Sequence, residues 1–200
     1  MLGLALGRRL PAAIVVAAAL AGCTVAYRTE ILRKDVLTAA QKDIADTEIN
    51  WGTMTIEGSV DRADTTYDPG QPITLSVKVS KNAHVAILRV FANGDTTIVF
   101  PNRAHPKADI AADTVLTVPG PGDVVTISAD KPQIVLFEFI ASSLGTSWLF
   151  TRPPDSGSDF ADLGVTTRTI AKDLVGTLKV SKGPETVATY LTVRVGHGLF

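Results

Sequence analysis

Ile73-Thr-Leu-Ser-Val-Lys-Val-Ser80 alternates apolar and polar residues without a break, and four positions later His84-Val-Ala-Ile-Leu-Arg-Val-Phe91 is almost wholly apolar. Period-two alternation describes a strand with one wet face. A short, nearly continuous apolar run describes a strand covered on both faces. Asn93-Gly94 follows, the pair a tight hairpin needs at positive φ, and Thr96-Thr-Ile-Val-Phe100 runs back beside the covered strand. These 28 residues set the class of the fold as antiparallel β.

Outward from that hairpin the pattern persists. Met54, Ile56 and Val60 alternate with Thr55, Glu57 and Ser59, and Tyr67-Asp68-Pro69-Gly70 punctuates the chain before Ile73. Thr114 to Val118 and Val124 to Ser128 read as short strands on either side of Pro119-Gly-Pro-Gly-Asp123, and Ile134 to Ile140 as a second covered strand. Seven strands joined by Gly/Pro turns, with no long helix between them, predict an antiparallel β-sandwich, Ig-like or an open barrel. One helix is expected on each flank. Leu32, Val36, Leu37, Ala40 and Ile44 share a helical stripe before the sheet, either packed on it or serving as a spacer. Leu163, Ile170, Leu174 and Leu178 mark the other helix, capped by Thr166 or Thr167 and ended at Gly183-Pro184. Val187, Thr189, Leu191, Val193 and Val195 then form one face of a last strand. The loop Arg152-Pro-Pro-Asp-Ser-Gly-Ser158 reads as exposed and mobile.

The first 23 residues carry a separate message. Arg8 and Arg9 precede an apolar run from Leu10 to Leu20, followed by Ala21-Gly22-Cys23, the layout of an export signal. With the cysteine directly after Leu-Ala-Gly, this resembles a bacterial lipobox. The resemblance implies cleavage between Gly22 and Cys23 and lipidation of Cys23, hence a mature chain of 178 residues (200 minus 22). The apolar run falls short of the roughly 20 residues that span a bilayer. Cys23 is the one cysteine, so it has no disulfide partner within the chain. Thr24 stands where an aspartate would resemble an inner-membrane retention signal, which favours the periplasmic face of the outer membrane over the inner membrane or the cell surface. The expected organisation is a signal at 1–22, a tether with a helix at 23–50, and a single β-rich domain at 51–200.

Without the signal, 17 Lys and Arg stand against 20 Asp and Glu, a formal balance of −3. Nucleic-acid binding asks for a strongly basic domain, so no nucleic-acid partner is expected. The partners expected are the membrane, through the Cys23 anchor, and another envelope protein or a cell-envelope polymer.

Tyr67-Asp-Pro-Gly70-Gln-Pro-Ile73-Thr-Leu75-Ser-Val77-Lys-Val79, Gly94 in a turn, Ile98-Val-Phe100-Pro101-Asn102 and Leu116-Thr-Val118-Pro119-Gly-Pro-Gly122 together resemble the bacterial family known as domain of unknown function 4384, over residues 65 to 142. The family has no assigned activity, so the resemblance implies no catalytic residue. Read physically, Tyr67 caps the sheet end, Phe100 points into the core, Pro101 stops the strand and Asn102 bonds local backbone. The functional reading makes Asn102, Arg103, His105 and Lys107 a recognition loop on a rigid sheet.

Chemistry is sparse. His84, His105 and His197 lie in different segments with no metal-ligand spacing, so no metal and no cofactor is expected. There is no G-x-S-x-G elbow, and Gly120-Pro-Gly122 lacks the lysine of a phosphate loop. A binding or scaffolding module, not an enzyme, is the expectation. The alternative is an envelope hydrolase using Asp109, Asp113 or Glu138.

Overall fold

The computed structural model describes residues 36–47, 49–145, 147–179 and 185–196. Cys23, Gly22, Leu32, His197 and the expected helix stop at Gly183-Pro184 lie outside them. In chain order the elements are α1 (Ala39–Ala45), β1 (Asn50–Trp51), β2 (Ile56–Val60), β3 (Thr66–Tyr67), β4 (Leu75–Val79), β5 (Ala83–Val90), β6 (Thr96–Phe100), β7 (Asp109–Ile110), β8 (Val115–Val118), β9 (Gln133–Ser142), α2 (Trp148–Thr151), β10 (Ala161–Asp162), α3 (Thr167–Lys179) and β11 (Thr186–Val195).

The strands form two sheets. An eight-stranded sheet runs β1-β11-β9-β5-β6-β10, with β3 added along β11 and β7 along β5, and a three-stranded sheet runs β2-β4-β8. All pairings are antiparallel except that of β3 with β11. The arrangement is mainly β and sandwich-like, without barrel closure. The two longest apolar runs take the middle of the large sheet, where a strand is covered on both faces: β5 pairs with β9, and β9 with β11 over ten residue pairs.

Alternation then sorts side chains into two cores. Val85, Ile87, Val135, Phe137 and Phe139 face the small sheet, where they meet Leu75, Val77 and Val79 of β4. Ala86, Leu88, Val90, Leu136 and Ile140 point the other way, into a layer built from Leu37, Ile44, Leu149, Phe150, Ile170 and Leu174. Leu37 and Ile44 of the N-terminal stripe therefore pack on the sheet. Both helix starts are capped: Thr38 Oγ1 accepts from Gln41 N at 3.3 Å, with Gln41 Oε1 returning the bond to Thr38 N, and Thr166 Oγ1 accepts from Thr169 N at 3.3 Å.

Several details depart from the sequence reading. A third helix, α2, is a single turn capped by Ser147 and holds Leu149 and Phe150 against the large sheet; four residues are too few to show a helical period. The segment 124–128 is extended, with Val125 and Ile127 inward, yet it makes no ladder. It is held by Ile73 N donating to Ile127 O at 2.8 Å, next to Gly70 N donating to Ala129 O. The hairpin after β5 is a five-residue loop, 91–95, in which only Gly94 has positive φ (95°). Asn93 instead uses its side chain, accepting from Asp95 N at 3.1 Å. Gly94 is required twice over, because a Cβ there would also stand 3.1 Å from that of Ala40 on α1. The 152–158 loop is largely exposed, as expected, and is tied at Asp155 and Arg152: Asp155 N donates to Phe160 O, Asp155 Oδ2 accepts from Asp162 N at 2.7 Å, and Arg152 donates to Asp162 O at 2.6 Å.

The large sheet gives the domain two ends. At one lie the 91–95 hairpin, the start of β9 and the capped start of α1; at the other lie the start of β5, the end of β9 and β7, while β6 ends partway along, with Phe100 opposite Ile87.

Candidate functional site: a cluster of three bonded loops

β6 delivers Phe100 into the core at 1% exposure, and the chain leaves the sheet through Pro101 and Asn102, both buried. The Phe100–Pro101 and Val118–Pro119 peptides, which open two of the three loops here, are both cis. Asn102 has no exposed surface and uses both ends of its amide: Nδ2 donates to Val99 O at 2.9 Å and Oδ1 accepts from His105 N at 2.8 Å. Asn102 N closes the same turn by donating to His105 O at 2.9 Å. A side chain satisfied in this way is a fixed part of the loop.

The other polar residues tie this loop to its neighbours. His105 Nε2 lies 2.9 Å from Asp123 Oδ2, and the same oxygen accepts from Gly120 N at 2.6 Å, so the loop after β8 is joined to the loop after β6. Arg103 reaches the third loop: its guanidinium donates to Ser158 O at 2.6 Å, its backbone N–H donates to Asp159 O, and its Nε stands 3.7 Å from the Asp159 carboxylate. Of the four residues in the expected recognition loop, three are thus engaged with the protein, and Lys107 is exposed. What the cluster offers outward is Arg103, Ala104, Pro106 and Lys107 from one loop, with Pro121, Gly122 and Val124 (91% exposed) from another.

Arg89 fastens the cluster to the core. From β5 its Nε donates to Thr97 Oγ1 at 3.2 Å and its Nη1 to Ser128 O at 2.9 Å, joining the large sheet to the 124–129 segment, while the guanidinium lies 4.7 Å from the Phe91 ring centre and 5.4 Å from that of Phe160. Burial weakens its hold on its proton, with Asp130 and Asp162 acting in the opposite sense. The aromatic faces supply part of the compensation that a carboxylate in contact would give. Sequence reading passed over this residue, because an arginine in an apolar strand shows only as an interruption.

The remaining chemical candidates are dispersed. Asp109 Oδ1 is 3.0 Å from His84 Nδ1, and the His84 ring packs beside Phe150 at 6.1 Å, so this histidine is partly buried rather than solvent-facing. Asp113 sits 3.5 Å from Lys78 on β4. Glu138 is 3% exposed on β9, opposite Leu88 and Tyr190 on the helix-covered face. The three carboxylates lie in different places: Asp109 on β7, Asp113 in the turn before β8 and Glu138 on β9. Among the described residues there is no group of three or more His, Cys, Asp or Glu able to hold a metal ion, and no helix long and apolar enough to cross a membrane.

The family described as Domain of unknown function (DUF4384) matches residues 66–137, from β3 into β9. The chain carries a DUF4384-like domain. Neither the curated proteins nor the solved structures provide a match. The DUF4384-like segment holds the hairpin and two of the three loops, Asn102–Lys107 and Pro119–Asp123. It is not self-sufficient as a packing unit: β9 needs β11 along its whole length, and β4 needs β2 on its second edge. The third loop, 152–160, also comes from outside it, so Arg103 of the DUF4384-like segment binds a partner loop that the match does not include.

Proposed function

We propose that this is a lipid-anchored bacterial envelope protein, lipidated at Cys23 after cleavage behind Gly22, whose DUF4384-like domain is a binding or scaffolding module for another envelope protein or a cell-envelope polymer. Its location is the periplasmic face of the outer membrane. Leu20-Ala21-Gly22-Cys23 supports the anchor. The observation that carries the module is the three-loop cluster, in which Asn102, His105 and Arg103 spend their polar groups on holding loops together. Such a surface is set before a partner arrives, so little ordering entropy is lost on docking. The hydrolase reading has less support, because Asp109, Asp113 and Glu138 are held apart by His84, Lys78 and the core of the large sheet.

Metabolic palmitate labelling of the intact protein tests the anchor; label that persists in Cys23→Ser overturns it. Crosslinking in intact envelopes tests the module. Arg103→Ala and Lys107→Ala should weaken capture of a defined partner in a protein that still melts as the parent does. Capture insensitive to both, but lost on a change to the exposed face of α3, would reassign the surface.

A further inference from the structure

Asn93-Gly94 lies in the 91–95 hairpin, outside the three bonded loops. Asparagine is among the thermolabile residues, because the following peptide nitrogen can attack its side-chain carbonyl carbon. A glycine in the next position leaves that approach open, having no Cβ. Of the four asparagines in the chain, Asn50 precedes Trp51, Asn82 precedes Ala83 and Asn102 precedes Arg103; only Asn93 precedes a glycine. Asn93 is also exposed to water, whereas Asn102 is buried with both ends of its amide bonded.

The closed hairpin holds both reacting groups away from each other. Gly94 N, the nucleophile, donates to Phe91 O at 2.9 Å. The Asn93 amide is clipped onto Asp95: Oδ1 accepts from Asp95 N at 3.1 Å, and Nδ2 donates to Asp95 Oδ2 at 2.7 Å. Two helices lie against the turn, since a Cβ on Gly94 would stand 3.1 Å from that of Ala40 on α1 and 3.9 Å from Thr167 Cγ2 on α3. Gln41 Nε2 fastens α1 to Val90 O, at the foot of the hairpin, at 3.2 Å. For reaction, Gly94 N must leave Phe91 O and Asn93 must turn off Asp95. Both movements open the hairpin.

We infer that Asn93 is a site of spontaneous deamidation held in check by the closed hairpin, and that its conversion loosens the first turn of α1. Gly94 N gives its proton to solvent base and forms a bond to Asn93 Cγ; the Cγ–Nδ2 bond breaks and ammonia leaves. Water then opens the five-membered imide at either carbonyl, giving aspartate or the isomer whose backbone runs through the side chain, and nothing is oxidised or reduced. The product sets a carboxylate where an amide donor faced Asp95, so attraction at 2.7 Å becomes like-charge repulsion. A loosened turn no longer seats Ala40 on Gly94 or holds Val90 O beneath Gln41. Ammonia is lost to solvent, so the change runs one way.

The test incubates the full chain in mildly alkaline buffer with and without urea and follows the tryptic peptide 90–103 by mass spectrometry, with fragmentation separating Asn93 from Asn102. In urea, Asn93 should convert ahead of the other three asparagines. Native protein should convert about tenfold more slowly or less, because only opened molecules react. Gln41→Leu should bring the native rate toward the rate in urea. Conversion led by another asparagine overturns the site, and a native rate equal to that in urea overturns the restraint. Conversion no faster in folded Gln41→Leu than in the parent overturns the part of α1 in it. Asn93→Asp supplies the product directly: amide exchange should quicken in 39–45 while the middle of β5 and β9 stays protected, and unchanged exchange in 39–45 overturns the loosening of α1.

Discussion

Gln41 and Ile134 lie 93 positions apart and are joined by a 2.9 Å hydrogen bond from the glutamine amide to the backbone carbonyl, with no exposed surface on the glutamine. The same amide also donates to Val90 O, so one side chain ties the last residue of β5 to the start of β9. This bond makes α1 a structural part of the β-domain.

Gln41→Leu should therefore destabilise the domain well beyond a surface change. Two buried carbonyls lose their donor, at about 1–3 kcal/mol each. Urea unfolding of the chain from Thr24 onward should show a drop of about 2–4 kcal/mol. A loss under about 0.5 kcal/mol would mean that α1 docks through Leu37 and Ile44 alone.

Gly58 on β2 lets the small sheet approach the large one. A Cβ there would fall 2.6 Å from the Phe139 ring, so Gly58→Val must push apart two packed layers. The expected cost is about 1–3 kcal/mol, partly recovered in Gly58→Val with Phe139→Leu. Strict additivity of the two substitutions would show that the layers yield elsewhere.

Tyr67 is 1% exposed and its hydroxyl donates to Asp61 Oδ1 at 2.7 Å. Burial, reinforced by that carboxylate, pushes its ionisation far above the ordinary value of 10. The folded chain thus keeps a proton that the unfolded chain releases above pH 10, so this contribution is complete below pH 10 and declines as pH rises. Relative to Tyr67→Phe, the parent should lose up to about 1.4 kcal/mol per pH unit above that point. Denaturant unfolding of both at pH 8 and pH 11 measures it, and a pH-independent difference would refute the shift.

Asp123 serves two loops through one oxygen, binding both His105 Nε2 and Gly120 N. Asp123→Ala should loosen the cluster more than His105→Ala, by about 1 kcal/mol, because it also strips a backbone donor of its acceptor. Amide hydrogen exchange in 101–107 and 119–123 should quicken in both variants while β5 and β9 stay protected. Quickening confined to one loop would show that the two are independent.

Arg89→Met keeps the aliphatic stem of this side chain but removes its bonds to Thr97 and Ser128 and its contacts with Phe91 and Phe160. Exchange protection should fall in the 124–129 segment first, since Ser128 O is held there by the guanidinium. Arg89→Lys should recover only part of it, because a point charge cannot serve two acceptors and two rings as a planar fork does.

The strands that the sequence marks clearly are runs of five residues or more with a distinct pattern: β4, with every second residue inward, and β5, β6 and β9, buried over most of their length. Two-residue β1, β3, β7 and β10 are too short to hold a period, and they exist because a longer neighbour offers an edge. The candidate loop was legible in its composition alone. Asn102 bonding local backbone could be read from an Asn after a strand-stopping proline, but His105 meeting Asp123 and Arg103 meeting Ser158, 18 and 55 positions on, could not.

Alone, the sequence determined the alternation that makes a strand, the turn residues that end one, and the Leu-Ala-Gly-Cys run on which the anchoring proposal rests, because these are properties of neighbouring residues. Tertiary structure decided which strands are neighbours, that helices cover the second face of the large sheet, and that three polar residues of the expected recognition loop bond within the protein and hold three loops together. A hydrogen bond or a layer contact between distant segments depends on where the whole chain places its ends, and no local pattern records that.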